Sequence, residues 1–582
     1  MSLPRLATSA LLFALIPAFA QAPSPPAPPE PATPPSTATE QPAAQHGLPG
    51  LVMPEPGPPT IRVRAQEVVV DIRVTDDSGK AFYGLQQSDF TVEENGKAQT
   101  IRSFYESAAS AEPAHIKPVP LPVGEYTNSR PLSAAGGPIN IFLVDHVNGG
   151  APFSDSVIRS LPIGAPAGIF AITASGLHTV QDITTDHNLL VRAIHAPVGG
   201  AIQDDWPRKM TTLHAFNQLA AYLSGIPGPK NLFWGVSSSG PPLLLMRDGG
   251  YSWGMDARSA DMSLVHHTMD TYEMLTAARV ALYPVAYIPF SLGWGALETQ
   301  KIAEDFGTAV VYFTRDDLAP KLAAAVEQAS HYYSLSYIPP RRSLDGHFHT
   351  ITVTIDKPGL TLTYRKGYDS ERTPTLEDPA PGPELMKAAL EGNFLNATQI
   401  LFDAAIRPVP PAAPAPSDQS SPGKAKPVKG AKNKATAYSY QIAYGLPASQ
   451  FSFAEDEYGK LNGAVEFDVI AYDSNRTRVA QLSQIVHMPL AWDQFDDFAA
   501  STFRFTQQID LPPGLFWIHV GILDTVSNRV GTLEFPLMVG TSSNAGGTRL
   551  GFGPPRNPMP PDNPLPCPMP CTNGPYTPNH IP

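Results

Sequence analysis

The chain has 582 residues and a formal net charge of −13, with a sequence pI near 5.6. That length exceeds what one hydrophobic core supports and calls for several domains. The acidic balance excludes the basic footprint of a nucleic-acid-binding protein. Reading from the N-terminus, one arginine precedes the apolar run "ALLFALIPAFA", which ends on small residues at Ala18 and Ala20. This pattern reads as a signal peptide over 1–20. No later stretch approaches the roughly 18 unbroken apolar residues of a spanning helix, so no transmembrane segment is expected after cleavage. The mature chain is expected to be exported, periplasmic or extracellular.

Residues 21–58 are dense in proline with alanine, serine and threonine between, an extended tether that cannot bury a core. Over 59–108, "VVVDIRVTD" alternates as a strand and "FTVEENGKAQTI" reads as a hairpin with Asn95-Gly96 at its tip. This small β unit has too few strands to stand alone. From 139 to 331 short apolar strands ("INIFLVD", "GIFAIT", "LHTVQDI", "NLFWGVS", "ALYPVAYI") alternate with amphipathic helices. That alternation predicts an α/β fold with a doubly wound, mostly parallel sheet. Leu213, Phe216, Leu219, Ala220 and Leu223 share one face of the middle helix.

Strands resume over 332–370, placed to pair with 59–108 and so to make the α/β segment an insertion in one β unit. A helical connector is expected over 375–406 and a Pro/Lys-rich linker over 407–436, with five lysines between Lys424 and Lys434. Repeated alternating strands over 437–540 predict an antiparallel, immunoglobulin-like β-sandwich. The tail 541–582 is Pro-rich and reads as disordered; it holds both cysteines, Cys567 and Cys571, which an oxidising compartment would let pair.

Taken together, "VVVDIRVTDDSGKAFYGLQQSDFTVEENGKAQTI", "INIFLVDHVN", "YLSGIPGPKNLFWGVSSSG", "ALYPVAYI" and "ASHYYSLSYIPP" resemble the acidobacterial von Willebrand factor A (VWFA)-related proteins. The resemblance covers most of 61–369, and "DLPPGLFWIHVGILD" extends it into the C-terminal strands. It implies a VWFA-like α/β domain, whose common cation site uses Asp-x-Ser-x-Ser after the first strand, a threonine from a second loop and an aspartate after the fourth strand.

Carried over residue by residue, Asp145 takes the first position, while Val147 and Gly149 stand where the serines belong and offer no side-chain oxygen. Thr211 or Thr212 takes the threonine position, with Thr212 the candidate, and Asn148 supplies a carbonyl from a displaced place. Ser237, Ser238 and Ser239 replace the final aspartate. Asp145, Asn148 and Thr212 therefore form a degenerate Mg²⁺ site, disfavoured because a small, reluctantly dehydrated ion needs more oxygen donors. In the competing reading Asp145 caps the next helix or accepts N–H bonds from its own loop. No other cofactor is implied. Ser237 to Ser239, Tyr251 and Trp253, with Trp206, form a candidate binding loop at the carboxyl edge of the sheet.

No constellation for nucleophilic catalysis stands out, since "GVSSSG" lacks the Gly-x-Ser-x-Gly elbow. His347 and His349 share a strand face without a third ligand, and His266 and His267 point apart on a helix. The sequence thus reads as an exported, non-enzymatic protein that binds a protein partner at the cell envelope or adheres there. An envelope scaffold without ligand binding and a hydrolase with an unrecognised site stay open beside it.

Overall fold

The computed structural model describes residues 67–107, 121–130, 137–149, 153–195, 202, 204–236, 262–287, 294–314, 316–339, 348–369, 381–391, 395–410, 437–456 and 458–540. The expectations for 1–58, 411–436 and 541–582 lie outside them. Val68–Asp76 buries Val70, Ile72 and Val74, the alternate positions of a strand with one face inward. It pairs antiparallel with Tyr332–Tyr337 on one side and Leu360–Thr363 on the other. A second sheet runs Gly367–Asp369, Phe348–Ile355, Phe90–Glu94, Lys97–Gln99. Val70, Ile72, Val92, Leu335, Ile351 and Val353 form the core that the two sheets share. Asn95 and Gly96 both have positive φ, 49° and 73°, as a two-residue type I′ hairpin turn requires. Strands from both sides of 139–331 thus belong to one β unit, and the α/β segment enters and leaves between them.

The six-stranded sheet of that segment runs Val311–Phe313, Val280–Tyr287, Lys230–Val236, Ile139–Asp145, Ala167–Thr173, Gly176–Thr184. Every neighbouring pair is parallel except the last, which is antiparallel. All seven residues of Ile139–Asp145 are buried, as expected of a central strand covered on both faces. Leu213, Phe216, Leu219 and Leu223 of helix Asp205–Ser224 pack one face, with Tyr272 and Leu275 of Met262–Ala277 and Ile302 of Trp294–Asp305. Val157 and Ile158, Leu190, and Leu322 and Val326 of Leu318–Ser330 cover the other. Leu190 lies on a helix, His187–Ala193, too short for its periodicity to show in the sequence; the Asp186 carboxylate caps it by accepting the Asn188 N–H at 3.0 Å.

The C-terminal strands form two antiparallel sheets around one core. One runs Thr502–Leu511, Tyr438–Pro447, Asp403–Pro408, Glu125–Thr127. The other has Leu461–Asp473 at its heart, flanked by Arg478–Leu490 on one side and by Gly514–Asp524 and Arg529–Val539 on the other. Ile442, Tyr444, Val465, Phe467, Ile518 and Val520 meet between them. A short helix, Trp492–Ala499, follows Arg478–Leu490 and is likewise absent from the sequence-based expectation.

The helical connector expected over 375–406 needs correction. Its helix is Pro381–Glu391, and Asp403–Pro408 is a strand paired with Tyr438–Pro447. Ala404 and Ile406 enter the sandwich core, and this burial outweighs the helix preference of an alanine-rich run. Arg407 and Pro408, assigned to the linker, belong to the same strand. The sandwich is also joined to the α/β segment directly. Thr398 donates its hydroxyl to the Tyr222 carbonyl at 2.8 Å and accepts the Gly225 N–H at 2.7 Å. Ala221, Leu385, Met386, Leu390, Ile470 and Leu523 bury an apolar seam around that contact. Asn128 fastens the same region, donating to the Ala397 and Ile400 carbonyls at 3.2 and 2.8 Å and accepting the Phe402 N–H at 2.9 Å.

Also at the amino end of the parallel strands, Arg279 forms a two-pronged ion pair with Asp71 at 3.1 and 2.6 Å. Arg73 donates to Asn231 at 3.2 Å. Beside them the Lys230 amine is buried and donates to the carbonyls of Ile226 and Ala278. Burial, helped by the nearby Arg279 charge, pulls its pKa from 10.5 down to about 7.

Candidate functional site

The carboxyl end of Ile139–Asp145 brings together the three residues singled out for a cation. Asp145 is fully buried, Asn148 sits in the turn that follows, and Thr212 projects from the helix Asp205–Ser224. The Asn148 backbone N–H donates to Asp145 Oδ1 at 2.9 Å, and its side-chain amide donates to Asp145 Oδ2 at 2.7 Å. The same amide donates to Thr212 Oγ1 at 2.9 Å, while the Thr212 hydroxyl donates to the Arg208 carbonyl at 2.9 Å. Asp145 thus accepts bonds from its own loop, the second of the two readings weighed for it.

One participant is not foreseen from the sequence. Trp234 lies on the neighbouring strand Lys230–Val236, opposite Leu143, and is fully buried. Its indole Nε1–H donates to Asp145 Oδ2 at 2.9 Å. The signal is present in "NLFWGVS": Leu232 and Trp234 share a strand face turned to the helix layer, and a buried indole N–H needs an acceptor. Burial pushes the Asp145 carboxyl up from its ordinary pKa; the bonds from Asn148, Trp234 and the Val147 N–H pull it back.

These residues do not fit a divalent cation. Mg²⁺ takes oxygen ligands, and both carboxylate oxygens of Asp145 are engaged by N–H groups whose positive ends occupy the approach a cation would use. Asn148 presents its NH₂ to the carboxylate, and its carbonyl oxygen is buried without a hydrogen-bond partner among the described residues. One such oxygen and the Thr212 hydroxyl make a poor shell. What the arrangement does chemically is hold a buried carboxylate with four N–H donors, from the Asn148 backbone and side chain, Trp234 and the Val147 backbone, which fixes the strand end and its turn.

Ser237, Ser238, Ser239, Tyr251 and Trp253 lie outside the described residues. Trp206, in the first turn of Asp205–Ser224, is 43 % exposed on the same side of the sheet as Asp145. His349 is buried in the N-terminal β unit, where its Nδ1 lies 3.0 Å from Glu94 Oε1 and its ring stacks on Tyr368; His347 lies outside the described residues. His267 faces His214 of the preceding helix, Asp205–Ser224, edge-on.

No protein-family model matches the chain, and no curated protein matches it in sequence. Among solved structures, a von Willebrand factor type A protein from Catenulispora acidiphila is 12 % identical with a TM-score of 0.22, covering 53 % of this chain and 82 % of that one. The manganese-loaded TRAP protein of Plasmodium vivax is 9 % identical with a TM-score of 0.22, covering 43 % and 97 %. The pilus adhesin SpaC of Lactobacillus rhamnosus GG is 8 % identical with a TM-score of 0.21, covering 79 % and 59 %. Structural neighbours of this chain therefore include von Willebrand factor A domains. Scores this low carry no argument for function, which has to come from the residues themselves.

Proposed function

We propose that this chain is an exported, non-enzymatic protein with a VWFA-like, doubly wound α/β segment and an immunoglobulin-like sandwich behind it. It binds a protein partner at the cell envelope through the loops at the carboxyl edge of the α/β sheet, and it does so without a divalent cation. The observation that carries the reading is the saturation of Asp145 by Trp234 and Asn148, which leaves contact surface rather than metal coordination as the means of recognition. Trp206, exposed beside that edge, has the aromatic character of an interface anchor.

The test is capture of the full chain on native envelope fractions, followed by crosslinking, in EDTA and in excess Mg²⁺. Equal capture in the two buffers, weakened several-fold by Trp206→Ala, is the expected result. Capture lost in EDTA and restored by Mg²⁺ overturns the cation-free reading. A second reading, an envelope scaffold without ligand binding, draws on the locking of the α/β segment to the sandwich through Thr398 and the apolar seam around it. It predicts no capture in either buffer. Esterase or peptidase turnover by the purified chain would overturn both.

A further inference from the structure

The strand Arg478–Leu490 is the edge of its sheet. It pairs along its length with Leu461–Asp473, and no described strand pairs with its other side. Alternate N–H and C=O groups of such a strand point outward and are free to take another strand. Edges in folded proteins are ordinarily kept short or guarded by charge or proline. The other sheet edges here follow that rule. Glu125–Thr127, Val311–Phe313, Lys97–Gln99 and Gly367–Asp369 are three residues each, Leu360–Thr363 is four and Ala454–Glu455 two, and Ser103–Ser107 carries Glu106. Gly176–Thr184 carries Asp182, Thr502–Leu511 carries Arg504 and Asp510, and Arg529–Val539 carries Glu534 and Pro536. By contrast, Arg478–Leu490 is 13 residues long, and from Val479 to Met488 it holds no Lys, Arg, Asp, Glu or Pro. Val479 and Ile485 are 40 % and 54 % exposed on it.

We propose that this edge pairs antiparallel with the same strand of a second copy of the chain. The strand suits itself as partner. With the twofold axis at Gln484, Leu482 lies opposite Val486 of the second copy, and Ala480 lies opposite its Met488. All four belong to or pack on the sandwich core, so the apolar rows of the two copies become continuous. Residues of equal parity stay on the same face across an antiparallel pair, so this register keeps both cores on one side. With no Lys, Arg, Asp or Glu in Val479–Met488, two chains, each with a formal charge of −13, approach along this line without facing carboxylates.

The full chain in a sedimentation series across the micromolar range is expected to show a monomer–dimer equilibrium. Gln484 is exposed and sits on the proposed axis, so Gln484→Lys sets two like charges directly opposite each other. That variant should weaken the dimer by about fivefold or more with an unchanged circular-dichroism spectrum. Gln484→Glu alone should do the same, and an equimolar mixture of the two variants should restore the dimer as a heterodimer. A wild-type chain that stays monomeric, a dimer indifferent to both substitutions, or a mixture that fails to recover would each overturn the proposal. The wild type alone offers a further check: amide exchange at Leu482–Val486 should slow as concentration rises, and exchange independent of concentration would count against the pairing.

Discussion

Trp234 and Asp145 sit on neighbouring parallel strands, and the indole N–H of the first donates to the carboxylate of the second at 2.9 Å. A tryptophan side chain thereby occupies one lone pair of the carboxylate at that strand end. Trp234→Phe keeps most of the ring volume and removes the donor. It should cost about 1–3 kcal/mol, the usual penalty for a buried acceptor stripped of a partner. Urea unfolding checks this, and in an Asp145→Asn background the same substitution should cost less, since the charge it serves is gone.

If Asp145 is held by N–H donors, cations have nothing to stabilise there. Thermal unfolding in EDTA, Mg²⁺ or Mn²⁺ should give the same midpoint. A cation-induced rise in Tm abolished by Asp145→Ala would contradict the donor geometry.

Gly225 backs directly onto Thr398, where an added Cβ would lie 2.6 Å from the threonine Cβ and 2.7 Å from its carbonyl oxygen. Gly225→Ala should therefore force the sandwich away from the helix Asp205–Ser224, at a cost of about 1–3 kcal/mol or more. Thr398→Val keeps the shape and loses the hydroxyl bonds to Tyr222 and Gly225. Calorimetry should resolve a single wild-type transition into two as this seam weakens.

Lys230 gives the pH dependence a definite sign. Its amine titrates near 10.5 when unfolded and about 7 when buried, so between those values the unfolded chain binds more protons. This component of stability is complete above pH 10.5 and is lost as pH falls toward 7. Lys230→Met should flatten that part of the profile, as read from urea midpoints across the range.

Across the interface between the N-terminal β unit and the α/β segment, Asp71→Asn keeps the shape of the contact with Arg279 and removes its charge. Charge-assisted bonds of this kind are worth about 1.5–3 kcal/mol, and a loss in that range is expected on chemical unfolding. High salt should narrow the difference only slightly, because the pair is half-buried.

Local periodicity makes much of the fold readable. The run "INIFLVD" is apolar at five of its seven positions and is buried at all of them, and Asn95-Gly96 dictates its own turn. Where local reading fails, distant parts of the chain decide. "DAAIRP" looks helical by itself and becomes a strand because Tyr438–Pro447 lies beside it to be paired. At the site, Asp145, Asn148 and Thr212 are legible as a cluster only through the resemblance to VWFA-related proteins, and the meaning of the cluster turns on Trp234. An indole on an adjacent strand reads as ordinary core until the register places it opposite Leu143. No count of oxygen donors can reveal an N–H donor standing in their place.

The first strand of the N-terminal β unit finds its main partner very late in the chain. The Asp71 carboxylate accepts a bond from Ser334, 263 positions away, and the strands carrying them are neighbours. During synthesis Val68–Asp76 emerges long before Tyr332–Tyr337 exists, so it must stay unpaired while the intervening helices and strands assemble. Closure of that sheet is then the last act of folding for everything before residue 370. A chain halted or cleaved ahead of Tyr332 would display an apolar strand with nowhere to go, and such stubs are the form most prone to clump.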